Sequence, residues 1–333
     1  MTTTKIRWGI AATGGIAARF ARAMSLVERG EVVAVASRTD ERASQFAAQF
    51  GIACAHGSYE ALAEDLRIDV VFVATPHSRH AADCIMYLEA GKHVLCEKPF
   101  TLNAAQARHV FDVAQRNGLF IMEALWSRFL PPYDLLRQLL GEGRIGRPLL
   151  VEADLGSRLE IDPGHRLFDL EQGGGSLLDL GIYPLQLSTL VFGAPDRITA
   201  DGNVGTTGVD EDVAAVLHHR KGGLSVLKAS IRTPLRATAR IAGTDGVIEI
   251  PAYMHCPKEV RLSNDAAGWK VFDTSWEGDG LRFEIDEVNR CVGEGLTESP
   301  RMPRGETLLL QEVLDEIRRQ VGVVYPADRL WTQ

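Results

Sequence analysis

Lys98 stands where a short apolar run, Val94-Leu95-Cys96, ends abruptly in Glu97-Lys98-Pro99. Such a run reads as a buried strand that delivers a lysine to the rim of a parallel sheet, the side on which α/β proteins bind ligands. Asp179 and Tyr183 lie four apart in Gly173-Gly174-Gly175-Ser176-Leu177-Leu178-Asp179-Leu180-Gly181-Ile182-Tyr183-Pro184, so on a helix they share one face. Lysine and tyrosine together suit proton transfer. Removing a hydride from an alcohol carbon requires a base for the hydroxyl proton, and a phenol with a solution pKa of about 10 serves at neutral pH only when a cation stabilises the phenolate. A three-unit shift needs roughly 4 kcal/mol, within reach of a close ammonium in a partly dehydrated cleft. Asp179 would orient the lysine or the substrate hydroxyl. Each feature alone also fits a plainer role: Glu97 and Lys98 ending a strand in solvent, and a core tyrosine bonded to a buried aspartate.

These residues need a frame, and the first third of the chain spells one. Ile6-Arg7-Trp8-Gly9-Ile10-Ala11-Ala12 reads as a strand, Thr13-Gly14-Gly15-Ile16-Ala17 as a turn, and the residues to Met24 as a helix. Strand, glycine turn and helix make a phosphate site, because free backbone N–H groups and the helix dipole converge there. The small positions of the dinucleotide fingerprint fall on Ala12, Gly14 and Ala17, so its first glycine is replaced. The next strand, Glu31 to Ala36, ends in Ser37-Arg38 where an NAD enzyme would place a carboxylate for the ribose hydroxyl. A hydroxyl and a guanidinium suit a 2'-phosphate instead, which predicts NADP over NAD, although Asp40 and Glu41 lie near enough to neutralise Arg38.

Asp69-Val70-Val71-Phe72-Val73-Ala74 is a fully apolar strand followed by Thr75-Pro76-His77-Ser78-Arg79-His80, a loop predicted to touch the cofactor. Asn103 caps a helix from Ala104 to Asn117 closed by Gly118, and residues 119–123 form a sixth strand. Strands alternating with helices predict a doubly wound Rossmann domain over residues 1–124. Residues 125–333 change texture. Strands at 151–156, 213–219, 224–231, 239–242 and 247–250 predict an open, mainly antiparallel sheet in an α+β domain, whose uncovered face would pair with a twin in a homodimer. A late helix spans 305–320. Ser176 is a candidate cap for the Asp179 helix, and Pro184 should kink it.

With 333 residues and 45% hydrophobic content the chain has material for two cores, and a net charge of -8 argues against a nucleic-acid partner. No apolar run approaches a membrane span and the N-terminus lacks a signal core, which predicts a cytoplasmic protein. Five cysteines without paired spacing predict neither disulfides nor structural zinc, and no cluster of ligand residues predicts a catalytic metal.

Glu97-Lys98-Pro99, the Asp179-x-Gly-x-Tyr183 helix and the partial glycine turn together resemble the glucose-fructose oxidoreductase/inositol dehydrogenase (Gfo/Idh/MocA) family over nearly the whole chain. Glu123-Ala124-Leu125-Trp126-Ser127-Arg128-Phe129, the triple-glycine segment and Gly322-Val323-Val324-Tyr325-Pro326 are most similar to its dimeric dihydrodiol dehydrogenase and NADP-dependent xylose dehydrogenase subgroup. The resemblance implies oxidation of a pyranose at C1 or of a trans-dihydrodiol, with Lys98 and Tyr183 at the catalytic positions and dimers paired through the sheet. Ala12, Thr13, Gly14, Gly15, Ile16, Ser37, Arg38, Thr75, Pro76, His80, Glu97 and Lys98 become candidates for the cofactor. Trp126, Arg128 and Phe129, with Arg158 and Phe168 from the loop before the glycines, become candidates for the substrate beside Tyr183. Two other readings stay open: a reductase of keto-sugars, anhydro-sugars or inososes on the same fold, and a dinucleotide-sensing regulator without turnover.

Overall fold

A computed structural model describes residues 5–220, 222–264 and 268–330, the side chains of 329 and 330 excepted. The chain divides into two compact units, one comprising the described residues up to Phe129 together with Glu277–Leu308, the other Leu130–Trp276 together with the residues from Leu309 on.

The first unit is built from β1 (Ile6–Ala11), α1 (Gly15–Met24), β2 (Gly30–Ala36), α2 (Asp40–Phe50), β3 (Cys54–His56), α3 (Tyr59–Ala63), β4 (Val70–Val73), α4 (His80–Glu89), β5 (His93–Glu97), α5 (Ala104–Arg116) and β6 (Ile121–Ala124). Its six strands run parallel in the order β3-β2-β1-β4-β5-β6, so the connections reverse direction between β1 and β4. That reversal opens a crevice at the carboxyl ends of the strands. The strands read as unbroken apolar text because helices cover both faces: all of Val70–Val73 is buried, and Val71, Val94 and Ile121 pack with Ala107 and Val110 of α5. Local signals set the helix ends. Thr39, Ser58 and Asn103 each accept a backbone N–H from the first turn of the helix they precede, and Gly51 ends α2 at φ 67.

A single boundary near residue 124 would leave residues 277–308 to the sheet domain. They belong instead to the compact unit of the nucleotide-type fold, and the reason is packing on β1 and α1: in α8 (Leu281–Gly293) Asn289 accepts the buried indole N–H of Trp8 in β1 at 3.0 Å, while Asp279 pairs with Arg19 of α1 at 2.9 Å.

The second unit holds α6 (Pro131–Gly141), β7 (Pro148–Gly156), α7 (Ile182–Phe192), β8 (Pro195–Val204), β9 (Asp210–His219), β10 (Gly223–Ser230), β11 (Ala239–Gly243), β12 (Val247–Ile250), β13 (Glu259–Ser263) and β14 (Trp269–Asp273), and it takes most of α9 (Arg304–Val321). Its eight strands are ordered β14-β13-β12-β11-β7-β10-β9-β8, antiparallel except where β7 meets β10. The predicted open sheet is therefore present, with β8, β13 and β14 as additional outer strands. Val151, Ala153, Leu155, Leu227 and Ala229 are buried, whereas Glu152, Val226 and Lys228, which alternate with them, are not. Among the described residues no helix is long and apolar enough to cross a membrane. None of the five cysteines is in a disulfide; Cys84, Cys96 and Cys291 are buried, and Cys54 and Cys256 are half-buried.

Candidate active site

In the first unit the residues singled out from the sequence collect at the carboxyl edge of the parallel sheet. β1 leads into Ala12, whose φ of 100° lies in the region that favours glycine, and the Ala12 N–H is held by the Ala36 carbonyl at 3.0 Å. Gly14 then precedes α1 without a side-chain cap. A Cβ at Gly14 or Gly15 would meet no atom within 4 Å, so packing does not demand these glycines; they leave a cradle in front of a helix N-terminus. Thr13 and Ser37 face each other at 3.3 Å between hydroxyl oxygens. Arg38 is exposed and, among the described residues, makes no ion pair, since the Asp40 carboxylate lies over Gly57 instead. The buried Thr75 hydroxyl has no hydrogen-bond partner. Bare glycines, an uncapped helix, a solvent-facing guanidinium and an orphaned hydroxyl fit a phosphorylated dinucleotide.

β5 ends at the buried Glu97, whose carboxylate accepts the Lys98 backbone N–H at 3.1 Å, and Lys98 itself is half-buried. His80 is fully buried, with Nδ1 2.8 Å from the Pro99 carbonyl oxygen and Nε2 2.9 Å from that of Thr75. It grips backbone of two loops. Glu123, at the end of β6, accepts the Phe100 N–H at 3.0 Å and the Thr307 hydroxyl at 3.0 Å, and burial pushes its carboxyl up to about 7. Glu284 of α8 is fully buried with both carboxyl oxygens unpartnered; burial and the neighbouring Glu97 hold it well above the usual carboxylate range. Trp126, Arg128 and Phe129 are all buried in this unit. Arg19 lies 5.0 Å over the Trp126 ring, Arg128 pairs with Glu306 at 2.9 Å, and Arg301 lies 5.1 Å over Phe129.

In the second unit the triple glycine is a tight corner. Gly175 has φ 121°, and a Cβ there would sit 2.3 Å from a carboxylate oxygen of Asp210, so only glycine fits. The expected cap is different: Ser176 donates its hydroxyl to Asp210 at 2.8 Å, and Asp210, from β9, accepts the Leu177 N–H at 2.6 Å. Burial outweighs these bonds and raises the Asp210 carboxyl to about 6. Leu177–Gly181 then forms one wide π-type turn before α7 begins at Ile182. Pro184 follows that π turn directly: Ser176, Gly181 and Ile182 keep αR backbone, so the helical run is continuous from Ser176 through Phe192 and its ladder is widened just ahead of the proline, which has no N–H to give it.

Asp179 is buried and pairs with Arg166 at 3.1 Å. Tyr183, 5% exposed, has its ring centroid 5.3 Å from that of His255, a neighbour with no sequence signal. Arg158 is exposed, whereas Phe168 is buried in a cluster with Leu167, Val209 and Ile231. The sequence also gave no warning of Asp210. Glu123 had one signal, a carboxylate closing an apolar strand.

Residues 6–125 match the model of the oxidoreductase family with the NAD-binding Rossmann fold, and residues 133–249 match the GFO/IDH/MocA C-terminal domain. The chain is 40% identical to trans-1,2-dihydrobenzene-1,2-diol dehydrogenase of Danio rerio and 37% identical to the human protein of that name; each comparison covers 97% of this chain and 99% of the relative. Among solved structures, a 3-ketoreductase from Actinomadura kijaniata in complex with NADP and TDP-benzene superposes with a TM-score of 0.87 at 28% identity, covering 96% of this chain and 98% of that one. An aldose-aldose oxidoreductase from Caulobacter crescentus, 22% identical with a TM-score of 0.87 and the same coverage, shares the fold.

Proposed function

The chain belongs to the GFO/IDH/MocA family of NAD(P)-dependent oxidoreductases acting on CH–OH groups, and from that premise we propose that it oxidises a trans-dihydrodiol or the C1 hydroxyl of a pyranose with NADP. The observation that carries this reading is Lys98: a half-buried lysine at the end of β5, on the same sheet edge as the bare-glycine turn and Arg38.

When bound, the nicotinamide supplies the hydride acceptor. The chain's own task is the proton. Tyr183 takes the hydroxyl proton as the hydride leaves, and the Lys98 ammonium lowers the cost of the phenolate. Asp179, bridged to Arg166, holds the π turn that leads into Tyr183 and keeps charge near the phenol balanced. The N–H groups at Gly14, Gly15 and Ile16 would hold the cofactor's phosphates, with Ala12 and Thr13 shaping the turn. Ser37 and Arg38 would take the 2'-phosphate, while Thr75, Pro76 and Glu97 would frame the nicotinamide side, with His80 behind them holding the Thr75 and Pro99 backbone. Trp126, Arg128, Phe129, Arg158 and Phe168 contribute to substrate binding, the fully buried among them by supporting the walls rather than by contact.

The same groups serve the reverse direction, and the likeness to a 3-ketoreductase favours keto-sugar reduction as the second reading. A homodimer through the uncovered face of the eight-stranded sheet completes the proposal. The experiment is a panel of aldoses, inositols, trans-dihydrodiols and keto-sugars assayed in both directions with NADP(H) and NAD(H), with Lys98→Met and Tyr183→Phe alongside. Each variant is expected to lose at least a hundredfold in kcat. Turnover within threefold of the parent for either one would overturn the mechanism.

A further inference from the structure

The lysine loop is held at consecutive residues by two side chains from elsewhere in the first unit. His80, in the first turn of α4, reaches the Pro99 carbonyl with one ring nitrogen and the Thr75 carbonyl with the other, at 2.8 and 2.9 Å. The next peptide N–H, that of Phe100, donates to Glu123, whose second oxygen accepts the Thr307 hydroxyl. His80 is 0% exposed and Glu123 1%, so both act on backbone rather than on a ligand.

Their chemistry is unlike that of ordinary core residues. Both partners of His80 are carbonyl oxygens, which only accept, so a neutral imidazole can satisfy one of them and the imidazolium both. Burial and Lys98 oppose that charge, while Asp83 of the same helix favours it. Glu123 is opposed by burial and by Glu97 and supported by Thr307, the Phe100 N–H and Arg128. Two buried titratable groups are thus committed to the two residues that follow Lys98. A lysine ammonium hangs on a flexible stem, and its position is only as well defined as the chain it leaves.

We propose that His80 and Glu123 are positioning residues for Lys98: His80 ties the lysine loop to the Thr75–Pro76 loop, and Glu123 ties it to the first turn of α9. This rests on Lys98 being the cation that assists proton transfer. The alternative is that both side chains only hold the fold together.

A double-mutant cycle separates the two. Glu123→Leu, Glu123→Gln and His80→Phe are made in the parent and in Lys98→Met, and kcat and KM are measured under single-turnover conditions where turnover is slow. The reactivity of Lys98 toward acetic anhydride is followed against pH by peptide mass spectrometry on cofactor-free protein. Glu123→Leu and His80→Phe are expected to lower kcat at least tenfold in the parent, with KM within threefold, and less than twofold in Lys98→Met. Glu123→Gln keeps an acceptor for the Phe100 N–H and should recover to within threefold of the parent. The apparent pKa of Lys98 acetylation should move in Glu123→Leu and not in Glu123→Gln. Equal losses in both lysine backgrounds, or a glutamine as damaging as the leucine, would overturn the proposal. Should Lys98→Met itself keep full turnover, the catalytic reading of Lys98 fails instead, and the acetylation profile alone decides whether the loop is clamped. If Glu123→Leu does not fold, Thr307→Val takes its place with the same expected pattern.

Discussion

Ser176 donates its hydroxyl to Asp210 across 2.8 Å, and the same carboxylate takes the Leu177 N–H at 2.6 Å. A strand of the sheet thereby caps the turn that carries Asp179 and leads to Tyr183. Replacing Asp210 by alanine leaves a buried hydroxyl and a buried N–H without acceptors. A loss of about 2–4 kcal/mol in chemical denaturation is expected, together with reduced kcat. A destabilisation below about 1 kcal/mol would show that water caps the turn equally well.

Asp210 also predicts a pH dependence. Its carboxyl is raised from 3.8 to about 6 in the fold, so the neutral form is favoured there. The corresponding stability is fully present below the unfolded value and is lost as pH rises through about 6. The linkage amounts to roughly 3 kcal/mol across that window. Asp210→Asn cannot ionise. The difference in unfolding free energy between the parent and Asp210→Asn, measured from pH 4 to 8, should therefore shift in favour of the asparagine variant as pH rises; a flat difference contradicts the raised value.

Ala12 holds a φ of 100° without being glycine. Positive φ costs an L-residue about 1–2 kcal/mol, and glycine gives back part of that gain as chain entropy in the unfolded state. Ala12→Gly is expected to stabilise the protein by about 0.5–1 kcal/mol, read by urea unfolding. Destabilisation would mean that the methyl group packs usefully.

The first unit was legible because its information is local. The unbroken run at β4, the Asn103 cap and the glycine stop at Gly118 each specify their element within a few residues. The second unit was less so. β8, β13 and β14 lie at the sheet's outer positions and read as alternating, half-exposed text with Pro195, Asp201 and Gly202 among their residues, which resembles loop. Asp210 and Glu123 were illegible as anchors for a different reason. Their partners lie 33 and 23 residues away, and no periodicity encodes such a pairing. The π turn escaped too, since a run with Asp179 and Tyr183 four apart looks helical either way.

Arg38 tests cofactor choice. The guanidinium is exposed and has no ion pair among the described residues, so its charge is available to a ligand. Arg38→Ala should weaken NADP about 10–100-fold, the value of one charge-assisted bidentate contact, and NAD less than threefold. Fluorescence titration of the reduced cofactors measures both; equal weakening removes the 2'-phosphate assignment.

The uncovered sheet face tests assembly. Val216, Val226, Leu150, Leu224 and Val247 are half-buried and alternate with the buried core positions, while Trp269 and Val271 are 50% and 56% exposed. Around them run Lys228–Asp154 and Arg240 with Glu152 and Glu249, pairs of opposite sign that a two-fold axis can match with their own copies. If a second chain covers this face, a carboxylate at Val226 is buried there unpaired in both copies and costs several kcal/mol. Sedimentation equilibrium at micromolar concentration should then show a dimer for the parent and a Kd at least a hundredfold higher for Val226→Asp, with the isolated chain still folded by circular dichroism. A parent that sediments as a monomer, or a Val226→Asp dimer as tight as the parent, excludes this face as the interface.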